Sequence, residues 1–350
     1  MNSRMNPGVV AAIGAALLFG AGAPLAKKLL EGAGPWMLAG LFYLGSGIGL
    51  AIYRRLTGAK PARLANAEVA WLAGAVLAGG VAGPVLLMAG LSSMPASGAS
   101  LLLNAEGVFT ALLAWVAFKE NFDRRIAVGM ASIAAGAVLL SWPAQADFAG
   151  LMPALLILGA CLAWGIDNNL TRKVSLNDAT WIASVKGLSA GSVNFMLALF
   201  IGEKLPELAS VGAAIVVGFL AYGVSLALFV VGLRHLGTAR TGAYFSVAPF
   251  FGAVLAIASG EPITIKLLSA GALMAWGVWL HLTEKHEHSH VHEAMEHEHE
   301  HEHEEHHQHE HPDLPGFIER PGVKHSHRHR HAPLEHTHAH YPDAHHQHSH

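Results

Sequence analysis

Residues 1–282 divide into ten apolar stretches, each about long enough to cross a bilayer, and that division leaves few folds open. A hydrocarbon layer roughly 30 Å thick takes about 20 apolar residues in helical form. Stretches of that order fall at 7–26, 35–53, 67–91, 96–118, 125–142, 150–171, 179–201, 208–232, 240–259 and 262–282, separated by charges, Pro or Gly. At that depth no water satisfies backbone N–H and C=O groups, so each stretch must be helical. The predicted class is all-α, a polytopic membrane protein of ten transmembrane helices. Residues of the set AVILMFWYC are 52% of the chain against 13% charged. Mean hydropathy stays at +0.38 in spite of a very polar C-terminal segment. Trp36, Trp71, Trp115, Trp142, Trp181 and Trp279 fall near the ends of stretches, where an amphipathic ring prefers the headgroup level.

Lys and Arg in the connections set the orientation. With the N-terminus inside, twelve fall on the cytoplasmic side: Arg4, Arg54, Arg55, Lys60, Arg63, Lys119, Arg124, Arg125, Arg172, Lys173, Arg234 and Arg240. Only four (Lys27, Lys28, Lys204 and Lys266) fall opposite. The chain is thus expected to be a multi-pass protein of a bacterial inner membrane with both termini cytoplasmic. Ala21-Gly22-Ala23 imitates a signal-peptide cleavage site. The same stretch has a counterpart in the second half, which makes it part of the fold.

That counterpart belongs to an internal repeat. Leu18-Phe19-Gly20 and Lys27-Lys28 align with Ala163-Trp164-Gly165 and Arg172-Lys173 at an offset of 145. Gly107 to Ala114 aligns with Pro249 to Ala256 at an offset of 142. Each half holds five stretches, and five is odd, so the second half enters from the opposite side. Two inverted five-helix repeats are a transporter architecture, with the site between the halves near the midplane. The predicted organisation is repeat one over 1–142, repeat two over 143–282 and a tail over 283–350.

Ala99 to Trp115, followed by Lys119-Glu120, resembles the signature of the EamA family of the drug/metabolite transporter superfamily. A second copy runs from Ala243 through Ala248-Pro249-Phe250-Phe251 to Glu261. The resemblance covers about residues 8–282. It implies ten helices in two inverted halves and the movement of metabolites across a membrane. Gly107 departs from it, standing where such sequences often carry Pro; Pro249 keeps that residue in the second copy.

Ionisable groups within the apolar stretches cost about 2.5–3.5 kcal/mol or more each, so each one asks for an explanation. Glu106 lies near the middle of the fourth stretch, with Asn104 just before it. It is read either as a protonatable carboxylate that couples proton movement to transport or binds a cationic group, or as a helix-packing residue. Asp167, Asn168 and Asn169 lie toward the cytoplasmic end of the sixth stretch; Asn169 reads best as a residue emerging among the headgroups. Lys186, well inside the seventh stretch, needs a partner, and Asp167 is nearest by topology, as a brace or a gate. Asn194 and Tyr244 are either on the solute path or in interhelical hydrogen bonds. Arg234 and His235 read as orientation charges, Gly45-x3-Gly49 and Gly79-x3-Gly83 as packing motifs, and the single cysteine, Cys161, as a core residue.

Of 25 histidines, 24 lie at or after His281. Residues 286–311 hold twelve of them (His286, His288, His290, His292, His297, His299, His301, His303, His306, His307, His309 and His311) with nine Glu and no Lys or Arg. Without an apolar period the tail has no core to bury and is expected to be disordered. Neutral imidazole is a common ligand for Zn, Ni and Cu, so this segment is the candidate metal site. No cofactor is required elsewhere. No Gly-x4-Gly-Lys-Ser/Thr loop suggests ATP use, and no His-Glu-x-x-His or Gly-x-Gly-Asp suggests an enzyme. The expected function is a gradient-driven carrier, an exporter, of a small organic metabolite. The alternative is a metal-ion transporter or metal-responsive membrane protein. Expected partners are the lipid bilayer, the solute, divalent metal ions and a second copy in a homodimer, with no nucleic acid.

Overall fold

The computed structural model describes residues 7–59, 64–118, 124–141, 151–174, 178–229, 231–232, 244–282, 287–292, 296–301, 325–330 and 334–339. Among the described residues through 282, every regular element is helical. Among the described residues, seven helices are long and apolar enough to cross a membrane: Gly8–Leu29, Pro35–Leu56, Glu68–Ser92, Ala96–Leu113, Met152–Thr171, Ala179–Phe200 and Leu208–Phe229. Shorter apolar helices at Ala127–Ser141, Ala248–Ala258 and Ile265–Leu280 lie in the fifth, ninth and tenth apolar stretches.

Several spans are built from more than one piece. The first joins α1 (Pro7–Gly20) to α2 (Gly22–Leu29), and the second is α3 (Pro35–Leu56). The third runs α4 (Asn66–Ala75), a π-helical segment π1 (Val76–Ala82) and α5 (Gly83–Ser92). The fourth is broken at Leu103–Asn104 into α6 (Ala96–Leu102) and α7 (Ala105–Phe118). Then come α8 (Arg124–Ser141), α9 (Met152–Arg172), α10 (Ala179–Phe200) and α11 (Leu208–Gly218), which runs on into a second π segment, π2 (Phe219–Val224). The last two are α12 (Ala248–Ala258) and α13 (Ile265–Leu282). Pro35, Pro153 and Pro249 stand in first turns, where a proline costs no backbone hydrogen bond.

The most extensive helix pairing is α3 against α10, and α8 against α13 comes next. Small residues set the first approach. A Cβ on Gly187 would lie 2.6 Å from Gly47 N, and one on Gly40 2.7 Å from Phe195 N. Gly45 and Gly49 turn the same helix against Ile215 and Phe219, so that motif packs α3 on α11 and π2. In α8–α13, Ser132 Oγ donates to Leu273 O at 2.6 Å, and Gly136 and Gly277 face Met274 and Ile133. Phe42, Met37, Leu38, Leu87, Met88, Leu102 and Ile157 form the fully buried centre of the largest apolar cluster.

The helix ends gather into two sets, as an up-and-down chain requires. At one end, α10 stops in a Schellman turn: Gly202 has φ 83° and Glu203 N donates to Ala198 O at 2.9 Å. The Glu203 carboxylate then accepts from Met37 N (2.7 Å) and Trp36 N (3.4 Å), the free N–H groups that open α3. The end of α12 repeats this turn. Gly260 has φ 105°, Glu261 N donates to Ala256 O at 3.2 Å, and the Glu261 carboxylate accepts from Ala96 N and Ser97 N at 2.7 and 2.8 Å. Lys27 Nζ donates to Leu91 O and Ser92 O, the last carbonyls of α5, at 2.8 and 3.0 Å. At the opposite end Arg54 Nη1 lies 2.7 Å from Asp178 Oδ1, and Asp178 caps α10 through Trp181 N at 3.0 Å. Burial raises the Asp178 pKa, but hydrogen bonds from Arg54, Thr180 and Trp181 N and the Arg54 charge outweigh it and hold it at about 2.

The histidine-rich unit, Lys285–His350, is described only through four strand backbones. β1 (Glu287–His292) pairs antiparallel with β4 (Leu334–Ala339), and β2 (Glu296–His301) with β3 (His325–Arg330). This differs from the structureless segment expected there. Alternating His and Glu suits an extended chain, but two-stranded ribbons without an apolar face are marginal in water. His286, His303, His306, His307, His309 and His311 lie outside the described residues, as do Arg234 and His235.

Candidate functional site

The two π segments create backbone groups that the helix does not satisfy. In π1 the Gly79 carbonyl accepts from the Tyr43 hydroxyl at 2.7 Å and from Trp164 Nε1 at 2.9 Å. The Gly80 carbonyl next to it accepts from Asn194 Nδ2 at 2.9 Å. So α3, α9 and α10 all anchor on one irregular turn. Gly79 and Gly83 leave the room for this: added Cβ atoms there would strike the Asp167 carboxylate and the Trp164 indole. This pair of glycines therefore makes space for the Asp167 and Trp164 side chains as well as packing helices. Asn194 is an interhelical hydrogen-bonding residue, fully buried, and its Oδ1 has no partner.

α9 is the strip on which polar side chains meet. It is pressed against α7: a Cβ on Gly165 would lie 3.1 Å from both Phe109 Cβ and Thr110 N. Asn168 Nδ2 donates to Glu106 Oε1 at 2.9 Å and to Thr110 Oγ1 at 3.2 Å. Asn169 is buried and donates to Gly165 O at 2.8 Å and Thr110 O at 3.2 Å. The close crossing of α9 on α7 packs it there. One step away, Lys186 Nζ lies 2.5 and 2.7 Å from the two oxygens of Asp167. Thr171 Oγ1 donates to Asp167 Oδ1 at 2.7 Å and accepts from Lys186 at 3.2 Å. The side chains of that pair are 13% and 9% exposed, dry enough to count as a buried ion pair.

Glu106 opens α7, immediately after the break at Leu103–Asn104. It is partly exposed, Asn168 is exposed, and a Cβ on Gly107 would meet nothing within 4 Å, so the carboxylate borders open space. Asn104 does not join it. Its Nδ2 donates to Leu101 O at 2.9 Å, closing the end of α6, and the residue is buried beside Met274. Tyr244 is 37% exposed, and the ring from this turn that enters the interior is its neighbour Phe245.

Phe245 belongs to an aromatic cluster that residue-by-residue reading of polar groups passed over. Phe19 is its hub, with ring centroids 5.3 Å from Phe245, 5.9 Å from Tyr222 and 6.3 Å from Trp164. Tyr222 also contacts Tyr43 at 5.5 Å and Phe42 at 5.7 Å. Phe19 and Trp164 are the two residues that the offset of 145 aligns. The signal was in the repeat itself, since an aromatic at the same place in both halves meets its own counterpart at the interface.

Comparison with known proteins agrees with this architecture. The chain matches the EamA-like transporter family twice, over residues 6–142 and 151–283. An "Uncharacterized transporter" of Methanothermobacter thermautotrophicus is 28% identical over 295 residues, 78% of this chain and 85% of that protein. The "Uncharacterized inner membrane transporter YedA" of Escherichia coli K12 is 27% identical over 252 residues, 70% and 78% of the two chains. A solved chain described as "Crystal structure of protein" superposes with a TM-score of 0.62 over 78% of this chain and 94% of that one, at 16% identity, a likeness of fold.

Removing either partner of a buried ion pair strands the other charge, at a cost of about 3–5 kcal/mol. Asp167→Asn and Lys186→Met should each lower the thermal midpoint of the purified protein by that order of free energy. The double variant should recover much of the loss. Losses that simply add would show that the two charges do not depend on one another.

Proposed function

The chain belongs to the EamA-like transporter family, and we propose that it is a gradient-driven carrier exporting a small organic metabolite, with Glu106 as its working carboxylate. It is a multi-pass membrane protein, and homologues named as transporters support solute movement as its role. The observation that carries the proposal is the setting of Glu106. Among the described residues it has no cationic partner within ion-pair distance, it follows a helix break, and it faces open space. A carboxylate in that place gains and loses a proton at modest structural cost, and an inward proton gradient then expels the solute in exchange.

Ten crossings in two inverted halves are part of the same reading. Two irregularities recur at matching places in the halves, and one pair of aligned aromatics meets. π1 begins at Val76 and π2 at Phe219; the fourth stretch breaks at Leu103–Asn104 and the ninth turns at Ser246–Val247; Phe19 faces Trp164. Discontinuous helices at repeat interfaces are where carriers of this architecture hold solute, and rocking of one half against the other exposes it alternately. The charge asymmetry of the connections supports an inner-membrane protein with cytoplasmic termini. The tail is read as an accessory that binds Zn, Ni or Cu through its imidazoles.

Three outcomes follow from this reading. In proteoliposomes under a pH gradient, Glu106→Gln should abolish solute flux or uncouple it from the gradient while membrane insertion stays intact. Wild-type flux and pH dependence in that variant would remove Glu106 from the mechanism. A reporter fused at residue 290 should read cytoplasmic, and a periplasmic signal would reverse the orientation. The full chain should bind several Zn²⁺ ions at pH 7.5 and lose them as the pH falls through about 6.5, where imidazole takes up protons. Deleting residues 283–350 should remove that binding and leave basal flux in place. A full chain that binds no Zn²⁺ near neutral pH would leave the tail without a metal role.

A further inference from the structure

We infer that the solute is a monovalent organic cation with an aromatic or apolar body, held by Glu106 against the Phe19–Tyr222–Trp164 rings and exchanged there for a proton. The inference rests on Glu106 being the working carboxylate and adds the chemistry of what it binds.

The charges of the interior are the first ground. Glu106, Asp167 and Lys186 lie within electrostatic range of one another. Lys186 is committed to both oxygens of Asp167, with Thr171 closing the set. That pair is neutral as a unit, which leaves Glu106 as the uncompensated charge of the three. Its hydrogen-bond partner Asn168 is neutral. An ionised carboxylate at this depth requires a positive counterpart, and a proton or a cationic solute supplies it. An anionic solute would add a second negative charge with no free cation of this group to receive it.

The rings are the second ground. Tyr222 and Tyr43 both lie within electrostatic range of the Glu106 carboxylate. Tyr222 and Trp164 both make edge-on contacts with Phe19. A carboxylate with aromatic rings in its neighbourhood is a recurrent arrangement for an organic cation. The charge meets the anion and the faces of the rings, and the apolar body replaces water along them. Gly107 leaves the adjoining volume free of side chain.

Competition at one carboxylate makes binding pH-dependent. Among the described residues, the other titratable or charged groups around Glu106 are Asp167 and Cys161 on α9, Lys186 on α10, Tyr43 on α3 and Tyr222 on π2. α8 also packs on α7; its charges, Arg124 and Arg125, stand in its first turn, where Arg125 lies over the Trp279 ring. Below the titration of Glu106, each pH unit should weaken cation binding about tenfold, because one proton displaces one cation.

The test uses the purified full chain and four probes of one size: benzyltrimethylammonium, phenylalanine, phenylacetate and benzyl alcohol. Binding is read by calorimetry and flux in proteoliposomes between pH 5 and 8. Benzyltrimethylammonium should bind at least tenfold more tightly than the other three and weaken with acid as described. Glu106→Gln should remove both the binding and its pH dependence, while Glu106→Asp keeps them. Phe19→Ala should weaken cation binding roughly three- to thirty-fold, the range for a lost cation–π contact, without changing the pH dependence. Phenylacetate or phenylalanine bound as well as the cation, or cation binding indifferent to pH, would overturn the inference. Should another solute be carried with dependence on Glu106 while the cation is not bound, the substrate class fails and the carrier reading stands. Should Glu106→Gln leave flux and pH dependence unchanged for every solute, both fail.

Discussion

A chain buried in hydrocarbon has no water to complete its backbone hydrogen bonds, and the architecture of this protein follows from that constraint. Regular helix meets it without help. Wherever the chain departs from regular helix, a side chain has to arrive with a donor or acceptor, and the departures therefore decide which helices come together. The Gly79 carbonyl takes two donors, from α3 and α9, and Gly80 takes one from α10. The helix break before Glu106 is closed by Asn104 on the Leu101 carbonyl. Ser225, just after π2, donates to the Ala15 carbonyl within α1 at 2.9 Å and ties that region to the first span. Site and scaffold are in this sense one object: the polar residues that hold the irregular turns also line up the residues around the carboxylate.

Much of the fold was legible from the sequence because hydrophobic length is a strong signal. The ten apolar stretches each hold helix, and the small-residue motif at Gly45 and Gly49 packs as its spacing suggests. Asp167 and Lys186 were matched by topology, since a buried ammonium leaves so few choices of partner. Other features carry no sequence pattern. A π segment needs only one extra residue in a turn, and Val76–Ala82 reads like any other apolar helix. Asn169 reads from its distance to Arg172 as a residue near the headgroups, and no sequence pattern marks the close crossing at Gly165 that buries it against α7. The aromatic cluster was hidden for a different reason. Apolar rings in an apolar span attract no notice until their partners are known, although Phe19 and Trp164 were already aligned by the repeat. The polar tail was read through its composition, which reports the lack of a core but not the strand pairing of β2 with β3.

The two carboxylates within the fourth and sixth stretches show how setting, not residue type, separates one carboxylate from another. Asp167 is locked: two contacts from Lys186 and one from Thr171 leave it little reason to change state. Glu106 has an amide for company and room beside it. Charged groups away from water are costly, and a fixed pair offsets part of that cost. A lone carboxylate has no such partner, and under the proposed function a proton or a cation takes that place in turn.

The Gly-Glu corners after α10 and α12 have a mechanical consequence. Each corner belongs to the second half of the chain, and each carboxylate grips the opening turn of a helix in the first half. Both grips lie at the same end of the bundle, so they act as a two-point clasp. The N–H groups they hold are those a helix start leaves unbonded, and water serves them nearly as well once the corner swings away. Such a clasp holds firmly enough to define a resting shape, yet releases without leaving a buried polar group stranded. A salt bridge sunk in the core at those two points would leave buried charges behind if broken; a carboxylate on a helix mouth would not.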